Sequence, residues 1–329
     1  MRGEALTVLP SREKTTICFA HVAYQLEEQF VRRKTGVASF QVRSFEGLQR
    51  RIAEADVLVI SGLWRDDLVE RAAKLRFIQS IGAGADQFGR EALKERGIRL
   101  ASAQGVNVNA VSEHVMSLIL ALARRLPEAR DNQAKHVWRG MISDLTQRED
   151  ELGGKTLLVV GLGGIGGRLA RLAKAFDMRV IGVKRDLSKG TEGADSMHTL
   201  AELKTLLPQA DFVALTCPLT RETENVIDAA AFAKMKPSAY LINAARGRCV
   251  EEGALIEALR KGSIAGAALD VTVDEPLPPA SPVWDLSNVL ITPHTAGETR
   301  RYEDNVLDIL LDNLQRLWRG EAMLRNQIF

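Results

Sequence analysis

Three polar side chains stand just beyond three short apolar runs in the second half of the chain. Arg246 follows "YLINAA", Glu275 comes a few residues after "AALDV", and His294 follows "VLITP". An imidazole can give or take a proton near neutral pH. A carboxylate bonded to its other ring nitrogen would fix the tautomer and favour the imidazolium. A guanidinium can pair with a substrate carboxylate and polarise the neighbouring carbonyl oxygen. Together the three suit reversible hydride transfer at a 2-oxo acid, where the developing alkoxide needs a proton and the reverse step needs a base. A lone histidine is more often structural. Here all three emerge beyond strand ends, on the edge where open α/β sheets bind ligands.

A second constellation lies upstream. "LLVVGLGGIGGRLARLAKAF" is an apolar strand, then Gly161-x-Gly163-x-x-Gly166, then a helix. One glycine makes a tight turn, the next admits a pyrophosphate to the backbone, and the third allows close helix–strand contact. The helix N-terminus faces the anion with free N–H groups. The cradle is read as Gly161, Gly163, Gly164, Ile165 and Gly166. About 20 residues past such glycines a carboxylate usually holds the ribose of NAD. Here the strand "MRVIGV" runs into Lys184 and Arg185 instead. Two cations suit the 2′-phosphate of NADP, which a guanidinium can bind bidentately. The expected cofactor is therefore NADP. NAD is the alternative, with Asp186 swinging in to hold the ribose hydroxyl.

The elements that must position these groups have the rhythm of βαβ units. Short β-branched runs occur at 15–20, 56–61 and 75–82, and again at 155–161, 179–183, 211–216, 239–245, 264–271 and 288–293. Amphipathic segments such as "EGLQRRIAEA" and "DDLVERAAK" lie between them. This predicts an α/β chain with two doubly wound parallel-sheet domains. A dinucleotide-binding domain spanning 105–295 is inserted into a substrate domain formed by 1–104 and 296–329. The long helix near the boundary is expected to start with Asn109 as N-cap. The terminal helix "YEDNVLDILLDNLQRLWRG" is expected to fold back onto the first domain.

Bulk properties exclude several classes. The chain has 329 residues, enough for two domains, with 46% hydrophobic and 26% charged residues and a net charge of +2. That balance and the lack of a basic block argue against nucleic acid or an anionic membrane as partner. The longest apolar helix, "VMSLILALA", is about half the ~20 residues that span a bilayer. The N-terminus has no apolar signal segment, so a cytoplasmic protein is expected. Cys18, Cys217 and Cys249 show no metal-ligand or disulfide spacing, and no metal site is expected.

The motifs "LVVGLGGIGGRLA", "KMKPSAYLINAARGRCVEEGALIEAL", "AGAALDVTVDEPLP" and "SPVWDLSNVLITPHTAG" together resemble the D-isomer-specific 2-hydroxyacid dehydrogenase family, over almost the whole chain. The resemblance implies a Rossmann cofactor domain within a flavodoxin-like substrate domain. It implies Arg246, Glu275 and His294 in the roles above, and Asp270 holding the nicotinamide carboxamide. Cys217, Pro218, Ala244 and Gly297 complete the expected cofactor contacts. In "SIGAGADQF" the N–H groups of Ala83 and Gly84 would bind the substrate carboxylate. Apart from the resemblance, Trp64 in "SGLWRDD" lies past a strand end and is read either as lining the substrate pocket or as a packing residue, with Trp138 a second pocket candidate. The helix after Asn109 implies a homodimer. The chain stops soon after its last helix, leaving no expected room for the regulatory domain of long phosphoglycerate dehydrogenases. Lys184 and Arg185 resemble the NADP-preferring glyoxylate/hydroxypyruvate reductase branch. A rival reading is a dinucleotide-sensing protein of corepressor type.

Overall fold

The structure is a computed structural model that describes residues 9–84 and 87–329. It divides into two compact units, Met1–Asn107 with Thr299–Phe329, and Val108–Glu298. Both are parallel α/β sheets.

In the first unit β1 (Thr16–Ala20), β2 (Ala38–Val42), β3 (Val57–Ile60), β4 (Phe77–Ser80) and β5 (Arg99–Ala101) lie in the order β2-β1-β3-β4-β5. Every pairing is parallel. This is the flavodoxin-like order. Alternation decides which face each side chain joins. Ile17, Phe19, Val57 and Val59 pack on one face with Val306, Leu310 and Leu314 of the terminal helix Tyr302–Trp318. Cys18, Ala20, Leu58 and Ile60 pack on the other. The terminal helix therefore completes the first unit.

In the second unit β6 (Thr156–Val160), β7 (Arg179–Val183), β8 (Ser196–His198), β9 (Phe212–Leu215), β10 (Tyr240–Asn243), β11 (Gly266–Leu269) and β12 (Val289–Ile291) lie in the order β12-β11-β10-β9-β6-β7-β8. This is the Rossmann order with one strand added, and its reversal falls between β6 and β9. Leu158, Val160, Val213 and Leu215 face one core, while Leu157, Val159, Phe212 and Ala214 face the other. Strands covered on both faces read as unbroken apolar runs, which is why "TLLVV" and "FVAL" are plain in the sequence.

Three strands were not among the expected runs. β2 is half-exposed, β5 has only three residues, and β8 is an edge strand with no fully buried side chain. None offers an apolar run to read. The long helix spans Val108–Ala123, so Asn109 lies inside its first turn and is not its N-cap. No helix among the described residues is long and apolar enough to cross a membrane.

One buried polar contact fixes the terminal helix in register. The Asn313 amide donates to Gln79 Oε1 on β4 at 2.9 Å and to Arg325 O at 3.1 Å, and its carbonyl accepts from Arg325 N at 2.7 Å. Replacing Asn313 by Ala strands these buried partners. Urea unfolding of Asn313→Ala should show a loss of about 2–3 kcal/mol for the first unit.

Candidate active site

The cradle is assembled at the reversal of strand order. Gly161 and Leu162 both donate to Val183 O, at 2.9 and 3.0 Å, so the end of β7 grips the turn that follows β6. Gly161 has φ +102°, and a Cβ there would lie 2.5 Å from Cys217 Cα. At Gly166 a Cβ would lie 2.5 Å from Gly161 O and 2.9 Å from Thr216 Oγ1. Only hydrogen fits either place. Gly163 differs: a Cβ there meets nothing within 4 Å. The space above Gly163 opens where helix Gly164–Ala175 begins. The first-turn N–H groups of Gly164, Ile165 and Gly166 have no intrahelical partner by helix geometry. The arrangement fits a dinucleotide pyrophosphate: open over one glycine, closed around the other two.

Beyond β7 the Lys184 ammonium donates to the carbonyls of Lys189 and Gly190, at 2.9 Å for the first. It thereby closes the 185–190 loop. Asp186 Oδ1 accepts from Ser188 N at 3.0 Å and from the Ser188 hydroxyl at 2.6 Å. These bonds, the hydroxyl's first, hold its carboxyl below the usual carboxylate range. Arg185 is exposed and in no ion pair among the described residues. The loop thus commits its carboxylate internally and leaves a guanidinium outside.

The proton-handling groups stand beyond β10, β11 and β12. His294 Nδ1 lies 2.7 Å from Glu275 Oε2, and Glu275 Oε1 accepts from Thr272 N at 3.1 Å. Facing a carboxylate, Nδ1 carries the hydrogen and leaves Nε2 outward on a half-exposed ring. His294 itself has φ +55°, a left-handed conformation that costs a non-glycine residue about 1–2 kcal/mol. Asp270, the residue after β11, compensates. Its Oδ1 accepts from Thr292 Oγ1 at 2.6 Å, Thr295 N at 3.0 Å and Ala296 N at 3.2 Å. Its backbone carbonyl accepts from His294 N at 2.8 Å. Successive N–H groups after a left-handed residue converge on one anion, here a side chain of the protein's own.

Asp270 was expected, by resemblance, to hold the nicotinamide carboxamide. Its side chain is only 2% exposed and its Oδ2 also accepts from Ala296 N, at 3.2 Å. The geometry makes it the latch of the His294 turn. The carboxamide contact that the resemblance implies for Asp270 stands beside this role as a proposal.

Arg246 is exposed beyond β10. Asn243 holds its turn, donating to Arg246 O at 3.0 Å and accepting from Ala245 N at 3.1 Å. Next to it Gly247 packs so closely that a Cβ would sit 2.0 Å from Thr272 C. That contact presses the Arg246 turn onto the loop that carries Glu275. Gly297 follows Ala296 in the latched turn, and Ala244 N donates to Leu215 O at 3.3 Å.

Other expected residues sit elsewhere. Trp64 is in the core of the first unit, 2% exposed, its indole N–H 2.9 Å from Asp66 Oδ1 and its ring against Phe88. It is a packing residue, corrected from a pocket wall, because its only polar atom is satisfied inside its own loop. The Cys217 side chain also points into the core, its thiol pushed up by its hydrogen bond to Cys249 and by burial. Its backbone and Cβ border the Gly161 turn, and Pro218 follows it in the chain. Ala83 and Gly84 follow β4; Ala85 and Asp86 of the same loop lie outside the described residues. Trp138 is 98% exposed.

Comparisons with known proteins bear on the family and the fold. The family model described as "D-isomer specific 2-hydroxyacid dehydrogenase, NAD binding domain" matches residues 116–296. Glyoxylate/hydroxypyruvate reductase B of Pectobacterium carotovorum subsp. carotovorum is 38% identical over 274 residues, covering 82% of this chain and 85% of its own. D-3-phosphoglycerate dehydrogenase of Methanocaldococcus jannaschii is 36% identical over 279 residues, 84% of this chain but 52% of its own, so the chain spans about half of that relative. A crystal structure of a D-isomer specific 2-hydroxyacid dehydrogenase family protein from Aeromonas salmonicida superposes with a TM-score of 0.84 at 31% identity, covering 96% of this chain and 99% of that one.

The glycines make separable predictions. Gly161→Ala should lower the thermal midpoint by about 5 °C or more, because backbone must move. Gly163→Ala should leave the midpoint nearly unchanged and weaken dinucleotide binding, measured by titration, about tenfold or more.

Proposed function

The chain belongs to the D-isomer specific 2-hydroxyacid dehydrogenase family, and from that premise we propose that it reduces small 2-oxo acids of the glyoxylate and hydroxypyruvate type with NADP(H). The observation that carries the reaction is the His294–Glu275 pair at 2.7 Å, with Nε2 facing outward from a turn held rigidly beneath it. A dihydronicotinamide cofactor held by the cradle would supply the hydride that reduces the carbonyl carbon. His294 delivers the proton to the carbonyl oxygen and, in the oxidising direction, removes it from the hydroxyl. Glu275 orients the ring and balances its positive charge. Arg246 pairs with the substrate carboxylate and polarises the carbonyl. In the first unit the N–H groups of Ala83 and Gly84 are the proposed carboxylate donors. The cradle at Gly161, Gly163, Gly164, Ile165 and Gly166 takes the pyrophosphate, with Pro218, Ala244 and Gly297 bordering the rest of the cofactor.

The preference for NADP rests on the loop after β7. A carboxylate serving NAD would have to abandon Ser188, whereas Arg185 is free to meet a phosphate and Lys184 adds a fixed positive charge. Such charge-assisted pairs are about twice as strong as neutral ones. A homodimer is part of the same proposal. Apolar side chains of Leu126, Val137, Trp138, Met141 and Leu145 are all exposed on the segment after helix Val108–Ala123. Such a concentration on one segment marks a contact surface, and half of the helix's own residues are buried.

Steady-state reduction of glyoxylate and hydroxypyruvate should give a kcat/KM with NADPH about tenfold or more above NADH, equivalent to about 1.4 kcal/mol. Arg185→Ala should bring the two cofactors toward parity by weakening NADPH alone. Parity in the unaltered protein would overturn the phosphate clamp. No turnover with either cofactor would move the corepressor-like reading ahead.

A further inference from the structure

His114 lies on helix Val108–Ala123 and belongs to none of the motifs assigned above. Its Nε2 is 3.0 Å from Thr292 Oγ1 and 3.5 Å from Asp270 Oδ1. The hydroxyl of Thr292 is committed: it donates to Asp270 Oδ1 at 2.6 Å. Its oxygen can therefore only accept from the imidazole. With both neighbours of Nε2 acting as acceptors, that nitrogen must carry a hydrogen. The chain His114 → Thr292 → Asp270 then ends at the carboxylate that gathers Thr295 N and Ala296 N and holds His294 in its left-handed conformation. Without a donor at 114, the short Thr292–Asp270 bond loses its outer support, and the turn is free to relax from its costly φ.

The same helix braces the cradle. Glu113, the preceding residue, pairs with Arg168 of helix Gly164–Ala175. Val108 Cγ2 comes within 3.2 Å of the Cβ position at Gly164. Consecutive residues of one helix thus hold the anion-binding helix and the His294 turn.

We propose that His114 is a positioning residue whose Nε2–H, acting through Thr292 and Asp270, fixes the aim of His294. This rests on the reading of His294 as the acid/base. The imidazole touches neither substrate nor cofactor in this role; it acts on kcat through the latch.

The test compares His114→Leu, which removes the donor, with His114→Gln, whose amide N–H can reach the Nε2 position. His114→Leu should lower kcat for hydroxypyruvate about tenfold while KM and the NADPH Kd from fluorescence titration stay within about twofold. His114→Gln should recover kcat to within about threefold of the unaltered protein. Thr292→Val should match His114→Leu, and the double variant should be little worse than either, because both act through one latch. An unchanged kcat in His114→Leu, failure of Gln to rescue, or full additivity with Thr292→Val would overturn the proposal. His294→Asn assayed alongside separates the two claims. If it turns over normally, the acid/base reading falls and the brace with it. If it is inactive while His114→Leu is normal, only the brace falls.

Discussion

A carboxylate buried at the end of β11 is the constraint on which the active-site geometry depends. Asp270 sits where water cannot reach it, and burying such a group is costly unless hydrogen bonds replace solvent. The replacements all come from one turn, Thr292 to Ala296. Satisfying the carboxylate therefore also determines the backbone of that turn, including the positive φ of His294. Hydrogen bonds to a charged group contribute about 1.5–3 kcal/mol each, more than the strain of one left-handed residue. A flexible histidine on a surface loop becomes one with a defined direction, and Glu275 needs only to set its tautomer.

The sheet supplies the rest. Parallel pairing of β10, β11 and β12 places Arg246, Asp270 and His294 beyond neighbouring strand ends. Close contacts then lock the loops to one another: Gly247 against Thr272 on this side, Gly161 against Cys217 at the reversal of strand order. Each contact tolerates no side chain, so the glycines transmit the register of the strands to loops that have no secondary structure of their own. The dinucleotide cradle and the proton-handling cluster are two outcomes of one topology.

Much of this was legible in the sequence because buried parallel strands write themselves as apolar runs, as in "TLLVV" and "FVAL". The glycine spacing announced the cradle, and the strand-end positions of Glu275 and His294 announced the pair that the structure brings together. What stayed hidden was orientation. Trp64 follows a strand as a pocket residue would, yet its indole turns into the core toward Asp66. Asp270 stands beside a strand end that faces a ligand edge, and nothing in the spacing shows that its carboxylate also gathers the His294 turn. Nothing in the sequence singles out His114, since no spacing rule links it to Thr292, far along the chain. β2, β5 and β8 escaped notice because edge position or brevity removed the apolar pattern.

The measurement that bears most directly on this account is the partition of Asp270→Ala between kcat and cofactor affinity. If the carboxylate is the latch of the His294 turn, kcat should fall about 100-fold or more while the NADPH Kd stays within about threefold. If instead the Kd weakens strongly and kcat at saturating cofactor survives, Asp270 is a cofactor ligand and the latch is not what aims the histidine.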